Sequence, residues 1–167
     1  MRSLEPPDRL HLEAAQGWLI LGNHIEADNE LDRIAPQCRA HPDVLVIRWL
    51  IRARAEKWSV AFEIARTLVE QHPENPFGWI YQAYALRWME GAGIHSARDA
   101  LLPAAHKFPN EPTIAFNLAC YACQLGNLKE ANDWLQKAID LGGKKEIKTR
   151  ALNDPDLEPL WPKISEL

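Results

Sequence analysis

Cysteine, uninterrupted apolar runs and positive charge are all in short supply in this chain. Its 3 cysteines, Cys38, Cys120 and Cys123, are too few and odd in number for a disulfide framework, so reduced thiols are expected. No stretch approaches the roughly 20 consecutive apolar residues that a membrane-spanning helix needs. The opening residues, MRSLEPPDRLHLEAA, offer neither an apolar signal segment nor a cleavage site, because Pro6, Pro7 and Asp8 interrupt the run at once. An intracellular, cytoplasmic protein without a membrane partner is the expectation. Lys and Arg total 19 against 23 Asp and Glu, a formal net charge of -4. Binders of nucleic-acid phosphates carry a basic excess instead, so nucleic acid is not an expected partner.

Chemical signatures are equally sparse. The 6 histidines form neither a His-Glu-x-x-His nor a His-x-x-Glu-His pattern. His41 and His72 read as helix C-terminal residues, where the dipole favours partial positive charge. No Ser-His-Asp arrangement, Gly-rich phosphate loop or paired-acid signature is present. Cys120-x-x-Cys123 has the spacing of a redox pair, but it falls inside a predicted helix over 112–125, away from the N-terminal dipole that activates such thiols. Zinc would need a second Cys-x-x-Cys, which the chain lacks. The cysteines therefore read as packing residues, with a redox role for Cys120 and Cys123 as an outlying alternative. Asp154, Asp156 and Glu158 lack the glycine and terminal glutamate of a calcium loop and read as first-turn helix acids. Lys144, Lys145, Lys148 and Arg150 read as a solvated helix face. No enzyme activity, catalytic residue, cofactor or metal is expected.

What the sequence does contain is a repeat. Gly22-Asn23-His24-Ile25-Glu26-Ala27 returns as Gly126-Asn127-Leu128-Lys129-Glu130-Ala131. Ala27, Ala61, Ala97 and Ala131 lie 34, 36 and 34 residues apart, each followed four residues later by Leu31, Ala65, Leu101 and Leu135, and three further on by Ile34, Leu68, Ala104 and Ala138. A period of this size marks a stacked array of helical units. The two extra residues of the middle spacing fall in Glu90-Gly91-Ala92-Gly93, where a turn can absorb them. Each unit reads as two helices: glycine stops the first, Asn23 or Asn127 caps the second, and Glu26 or Glu130 is the capping-box partner. The second helices end at His41-Pro42, His72-Pro73 and Phe108-Pro109, because the residue before proline is biased out of the α region. The spacing predicts helices over 8–21, 24–40, 43–55, 58–71, 76–90, 94–107, 112–125 and 128–141. The recurrent alanines let paired helices approach closely.

The period, the Trp79…Ala83…Leu86 spacing, Ala97-x3-Leu101 and the closing Pro109 resemble the tetratricopeptide repeat (TPR) pattern over about residues 8–143. The pattern varies within the chain: Leu45 and Ala115 stand at the position of Trp79, Glu56 at the turn glycine, and Gly142-Gly143 at the closing proline. More loosely, the stretches 17–23, 117–121 and 154–161 are similar to small stand-alone bacterial TPR proteins of unassigned role. The resemblance implies an all-α fold, a right-handed superhelix of antiparallel helix pairs in about four units. Residues 1–143 would form the repeats and 144–167 a C-terminal cap, with a capping helix anchored by Trp161.

The stretch Asn75–Pro109 poses the functional question. Its first helix carries two stripes, Trp79, Ala83 and Leu86 on one face and Phe77, Tyr81, Tyr84 and Trp88 on another. The first satisfies the repeat. The second is either covered by other helices or left to meet a ligand, since Tyr, Trp and Arg dominate binding hot spots. In the family that this chain resembles, first helices line a concave surface where partners bind. Carried over by register, that implies inward-facing Arg9, Leu12, Gln16 and Leu19 from the first unit, Val46, Ile47, Leu50 and Arg54 from the second, Phe77, Tyr81, Tyr84 and Trp88 from the third, and Thr113, Phe116, Asn117 and Cys120 from the fourth. Of these and their neighbours, Phe77, Tyr81, Tyr84, Trp88, Phe116, Asn117, Leu50, Arg54 and Arg87 are the peptide-binding candidates. Arg54 and Arg87 could hold a carboxylate in a fork. Some relatives of the fold grip a C-terminal carboxylate with lysine, arginine and asparagine; Asn117 matches one asparagine, but the lysines are missing here. The reading is a non-enzymatic adaptor that binds a peptide or helical segment of another protein in its groove, itself a monomer or weak homodimer. The alternatives are a cytoplasmic secretion-type chaperone holding a hydrophobic client and a homo-oligomerisation module.

Overall fold

The structure, a computed structural model, describes residues 4–166; the first three residues of the expected repeat segment and the last residue of the expected cap lie outside them. Among the described residues, ten α-helices follow one another and no strand occurs. The chain divides into two compact units, Met1–Tyr81 and Gln82–Leu167.

In the first unit, α1 (Asp8–Ile20) lies against α2 (His24–Asp32), α3 (Pro42–Arg54) against α4 (Trp58–Gln71), and α3 also meets α1 and α2. Leu12, Ala15, Leu19, Ala27, Leu31, Ile34, Val44, Ile47 and Ile51 form its core. The helix α5 (Pro76–Trp88) spans the division, its first turns belonging to this unit. In the second unit, α7 (Pro112–Gln124) packs on both α6 (Ile94–Lys107) and α8 (Leu128–Gly142). The chain then turns through α9 (Lys144–Leu152), a 3-10 segment (Pro155–Leu160) and α10 (Trp161–Glu166), and this end piece lies on α7 and α8.

The repeat positions are the packing positions. Ala27, Ala61, Ala97 and Ala131 are all fully buried, as are Ala65, Leu31, Leu101, Ala104 and Ala138. A methyl at these places lets two helix backbones come together where a longer side chain would hold them apart. The punctuation follows the same repeat. Gly22 and Gly126 both take φ of 78°, the left-handed conformation that ends a helix, and Gly91 and Gly93 do so in the longer middle turn. Asn23 Oδ1 accepts from the Glu26 N–H at 3.1 Å, and Asn127 Oδ1 from the Glu130 N–H at 3.3 Å. In the second case Glu130 reaches back to the Asn127 side-chain amide at 2.8 Å rather than to its backbone.

Two local expectations differ from the structure. The helix expected over 24–40 stops at Asp32, and Ala35 is extended (φ -53°, ψ 137°) before a 3-10 turn at Pro36–Cys38. Pro36 is the cause: its ring disfavours the α conformation for Ala35, the residue before it. The Arg39 guanidinium then donates to the freed carbonyls of Asp32 and Ile34 at 2.7 and 3.0 Å. His41 is likewise not at a helix C-terminus. It caps the N-terminus of α3, where its Nδ1 faces the Asp43 N–H at 3.3 Å. His72 does end α4 as expected.

Candidate functional site

The first unit carries an open groove between its two leading helices. Gln16, Leu19 and Ile20 from α1 face Ile47, Leu50 and Arg54 from α3 around a cavity of about 370 Å³. Leu19 and Ile47 form a buried floor, whereas Ile20 and Arg54 stand at the rim. The spacing explains the lining: Gln16, Leu19 and Ile20, and Ile47, Leu50 and Arg54, recur at three, four and seven residues along one side of each helix. Charge is unevenly distributed along α3. Arg48 pairs with Asp32 at 3.3 Å and Asp28 at 3.7 Å, and Arg52 with Asp28 at 2.8 Å. Arg54, one turn from the last of the groove's leucines, makes no hydrogen bond or ion pair among the described residues.

Helix α5 presents the aromatic stripe, and its members have separate fates. Phe77 (44% exposed), Tyr84 (39%) and Trp88 (51%) lie at the surface. Tyr81 does not stand free: its ring stacks on the buried Trp49 at 4.3 Å between centroids and 17° between planes, with Phe77 6.1 Å away. Burial pushes the Tyr81 phenol pKa upwards. The start of α5 is fixed by Asn75, whose side-chain oxygen accepts the Phe77 N–H at 2.9 Å. Gly78 brings it close to α4, since a Cβ there would stand 3.1 Å from the Val69 backbone nitrogen.

In the second unit, two residues expected to line the ligand surface are already occupied. Phe116 is fully buried, and the Arg150 guanidinium of α9 lies 3.9 Å from its ring centroid. Arg87 forks onto Asp156 of the 3-10 segment, one arm donating to Oδ2 and the other to Oδ1 at 2.7 Å. Both residues are about four-fifths buried, and the pair is hydrogen-bonded in the geometry that makes arginine–carboxylate contacts strong. Gln124 Nε2 adds a bond to the Asp156 carbonyl at 3.1 Å, and Trp161 Nε1 one to the Ala151 carbonyl at 2.9 Å. The terminal segment thus sits on α7, where the register had suggested an open face. Asn117 remains half-buried. Arg87 could not hold a ligand carboxylate without releasing Asp156.

The same packing accounts for the motifs that invited chemistry. Cys120 and Cys123 are both buried within α7. Burial, with the Asp154 and Asp156 carboxylates adding to it, drives the Cys120 thiol pKa well up, and burial and Asp156 raise that of Cys123. Burial and the neighbouring carboxylates both disfavour the thiolate that an activated cysteine needs. Cys120 Sγ, Asp154 and Asp156 bring ligand atoms within 4.8 Å of one another, but every carboxylate oxygen is committed. Asp156 receives Arg87 on both oxygens; Asp154 caps the 3-10 segment with Oδ1 and takes the Cys120 thiol on Oδ2. The arrangement fastens the end segment. Of the basic cluster, Arg150 covers Phe116 and Lys148 donates to the Ser165 carbonyl at 2.8 Å, while Lys144 and Lys145 face solvent.

The exposed apolar edge Ile20, Leu21 and Ile25 was not among the candidate residues. A signal was available: in Trp18-Leu19-Ile20-Leu21 only Leu19 continues the Leu12, Ala15 stripe, so its neighbours had to point elsewhere. No helix among the described residues is long and apolar enough to cross a membrane.

The sequence matches no protein-family model and no curated protein. Solved structures do resemble the chain. A thermophilic TPR protein from Thermus thermophilus, TTC0263, superposes with a TM-score of 0.76 over 94% of this chain and 82% of its own, at 19% identity. MamA (41-end) from Desulfovibrio magneticus RS-1 superposes with a TM-score of 0.67 over 99% of this chain and 97% of its own, at 16% identity. At such identities the likeness carries the fold. Together with the buried alanine register, it gives this chain a helical-repeat fold like that of tetratricopeptide proteins.

Proposed function

We propose that the chain is a non-enzymatic, cytoplasmic adaptor that binds a peptide segment of another protein on the leading helices of its repeats, with residues 1–143 as the repeats and 144–167 as their cap. The observation that supports this reading is the α1–α3 groove: an apolar channel with a buried floor, an exposed aliphatic rim and one uncommitted arginine. Concave, mostly apolar sites with a few polar groups are the usual form of a binding site, and exposed apolar patches on soluble domains mark interaction surfaces. Leu50, Arg54 and Phe77 are the residues retained for the binding face, with Tyr84, Trp88 and Asn117 of the second unit as further candidates. Tyr81 contributes by holding α5 against Trp49, and Phe116 and Arg87 serve the cap. The buried, protonated thiols and the scattered histidines favour binding over chemistry.

The test is affinity capture from native cytosol with the full chain beside Leu50→Asp, both checked for equal melting curves. A protein retained by the wild type and lost from the variant is the expected result. Identical capture profiles from two folded proteins would remove the groove from the binding face.

A further inference from the structure

Resting on that reading, we infer that the α1–α3 groove takes a short apolar peptide segment carrying one acidic side chain, with Arg54 as the residue that reads the carboxylate. Each of the three arginines of α3 reaches the surface, and two are neutralised within the unit by Asp28 and Asp32. The third, Arg54, closes a groove whose other walls are Leu19, Ile20, Ile47 and Leu50, with Gln16 the one other polar side chain. Placed there, a guanidinium with no partner among the described residues selects for negative charge and against positive charge in whatever occupies the apolar channel. A side-chain carboxylate fits better than a chain terminus. A terminus needs several convergent donors to compensate its buried end, whereas here a single donor group stands at the rim, within reach of an acid at the edge of a bound segment.

The consequence is a sequence preference: two aliphatic or aromatic anchors for Leu19, Ile47 and Leu50, flanked by Asp or Glu. Display selection of random twelve-residue peptides on the immobilised full chain, in parallel on Arg54→Gln and Leu50→Asp, tests it. Selected peptides are then synthesised with amidated C-termini and titrated by fluorescence anisotropy. The wild type is expected to enrich apolar peptides bearing an acid. Replacing that acid by its amide should weaken binding to the wild type about fivefold, the size of a rim ion pair. The same replacement should leave binding to Arg54→Gln unchanged, and Leu50→Asp should enrich none of these peptides. Acid-free consensus peptides, an acid preference that persists in Arg54→Gln, or binding that requires a free C-terminal carboxylate would each overturn the assignment while leaving peptide binding intact. If the wild type enriches nothing over the bare support, the groove reading itself fails and the assignment with it.

Discussion

Glu56 stands where the other turns use glycine, and it adopts φ of 56°. A side chain in the left-handed region costs about 1–2 kcal/mol, of which glycine's greater freedom in the unfolded chain would give back a part. Glu56→Gly should therefore raise stability by about 0.5–1 kcal/mol in urea denaturation. The buried alanines predict the opposite sign. Ala97→Leu places three extra heavy atoms between two helices with no space to receive them, and a loss of ~1–3 kcal/mol is expected. Asp8 supplies a pH dependence. The Ala35 N–H at 2.9 Å, the Cys38 thiol and His11 hold its carboxyl below the usual carboxylate value. A folded pKa below the unfolded one stabilises at pH values above the unfolded pKa, and that contribution disappears as pH falls through the folded pKa. Asp8→Asn should accordingly flatten the acid limb of the stability curve and leave little pH dependence from this site. The thiols give a fourth test: in native buffer a thiol reagent should leave Cys120 and Cys123 unmodified until denaturant unfolds the chain. Rapid native labelling of either would revive the redox alternative.

At the scale of elements, the end segment meets residues that the register had assigned to the binding face, Phe116 and Arg87. Its 3-10 turn lies on α7, α9 packs on α8, and α10 closes on α9 and the turn, with Leu157, Leu160 and Ile164 each buried; Asp156 locks the segment onto α5 through Arg87. Arg87→Ala leaves Asp156 four-fifths buried without its cation, and should cost about 1.5–3 kcal/mol, the usual range for a hydrogen bond to a charged group. Truncation after Gly143 removes the Arg150 and Asp154 side chains that lie against Phe116 and Cys120; loss of the cooperative melting transition or aggregation is expected, and an unchanged melting curve would show that the segment is no cap. Helix order, caps and the alanine register could all be read from the chain, because each depends on neighbours within a few residues. The break at Pro36 was readable by the same rule and went against the longer helix expected over 24–40. The His41 cap was not, because the same residue can end one helix or begin the next, and only the path of the chain decides.

For the molecule as a whole, the open α1–α3 groove and the exposed Phe77, Tyr84 and Trp88 leave two uses of apolar surface, a partner or a second copy. Sedimentation velocity over a wide concentration range should show a monomer; a concentration-independent dimer would favour self-assembly. Amino-acid order by itself determined that this is an all-helical repeat protein, because a 34-residue period of alanine, leucine and glycine is written in the chain and each residue's part in it is local. It also singled out α5 as the aromatic helix. Which aromatic faces solvent, which arginine is free and which face is already covered were decided only by the tertiary structure. Tyr81 is committed to Trp49, Arg87 to Asp156 and Phe116 to Arg150, partners 32, 69 and 34 residues away in the chain. Helical periodicity fixes the direction in which a side chain leaves its own helix. What it meets there depends on how distant segments pack, and no short-range pattern records that.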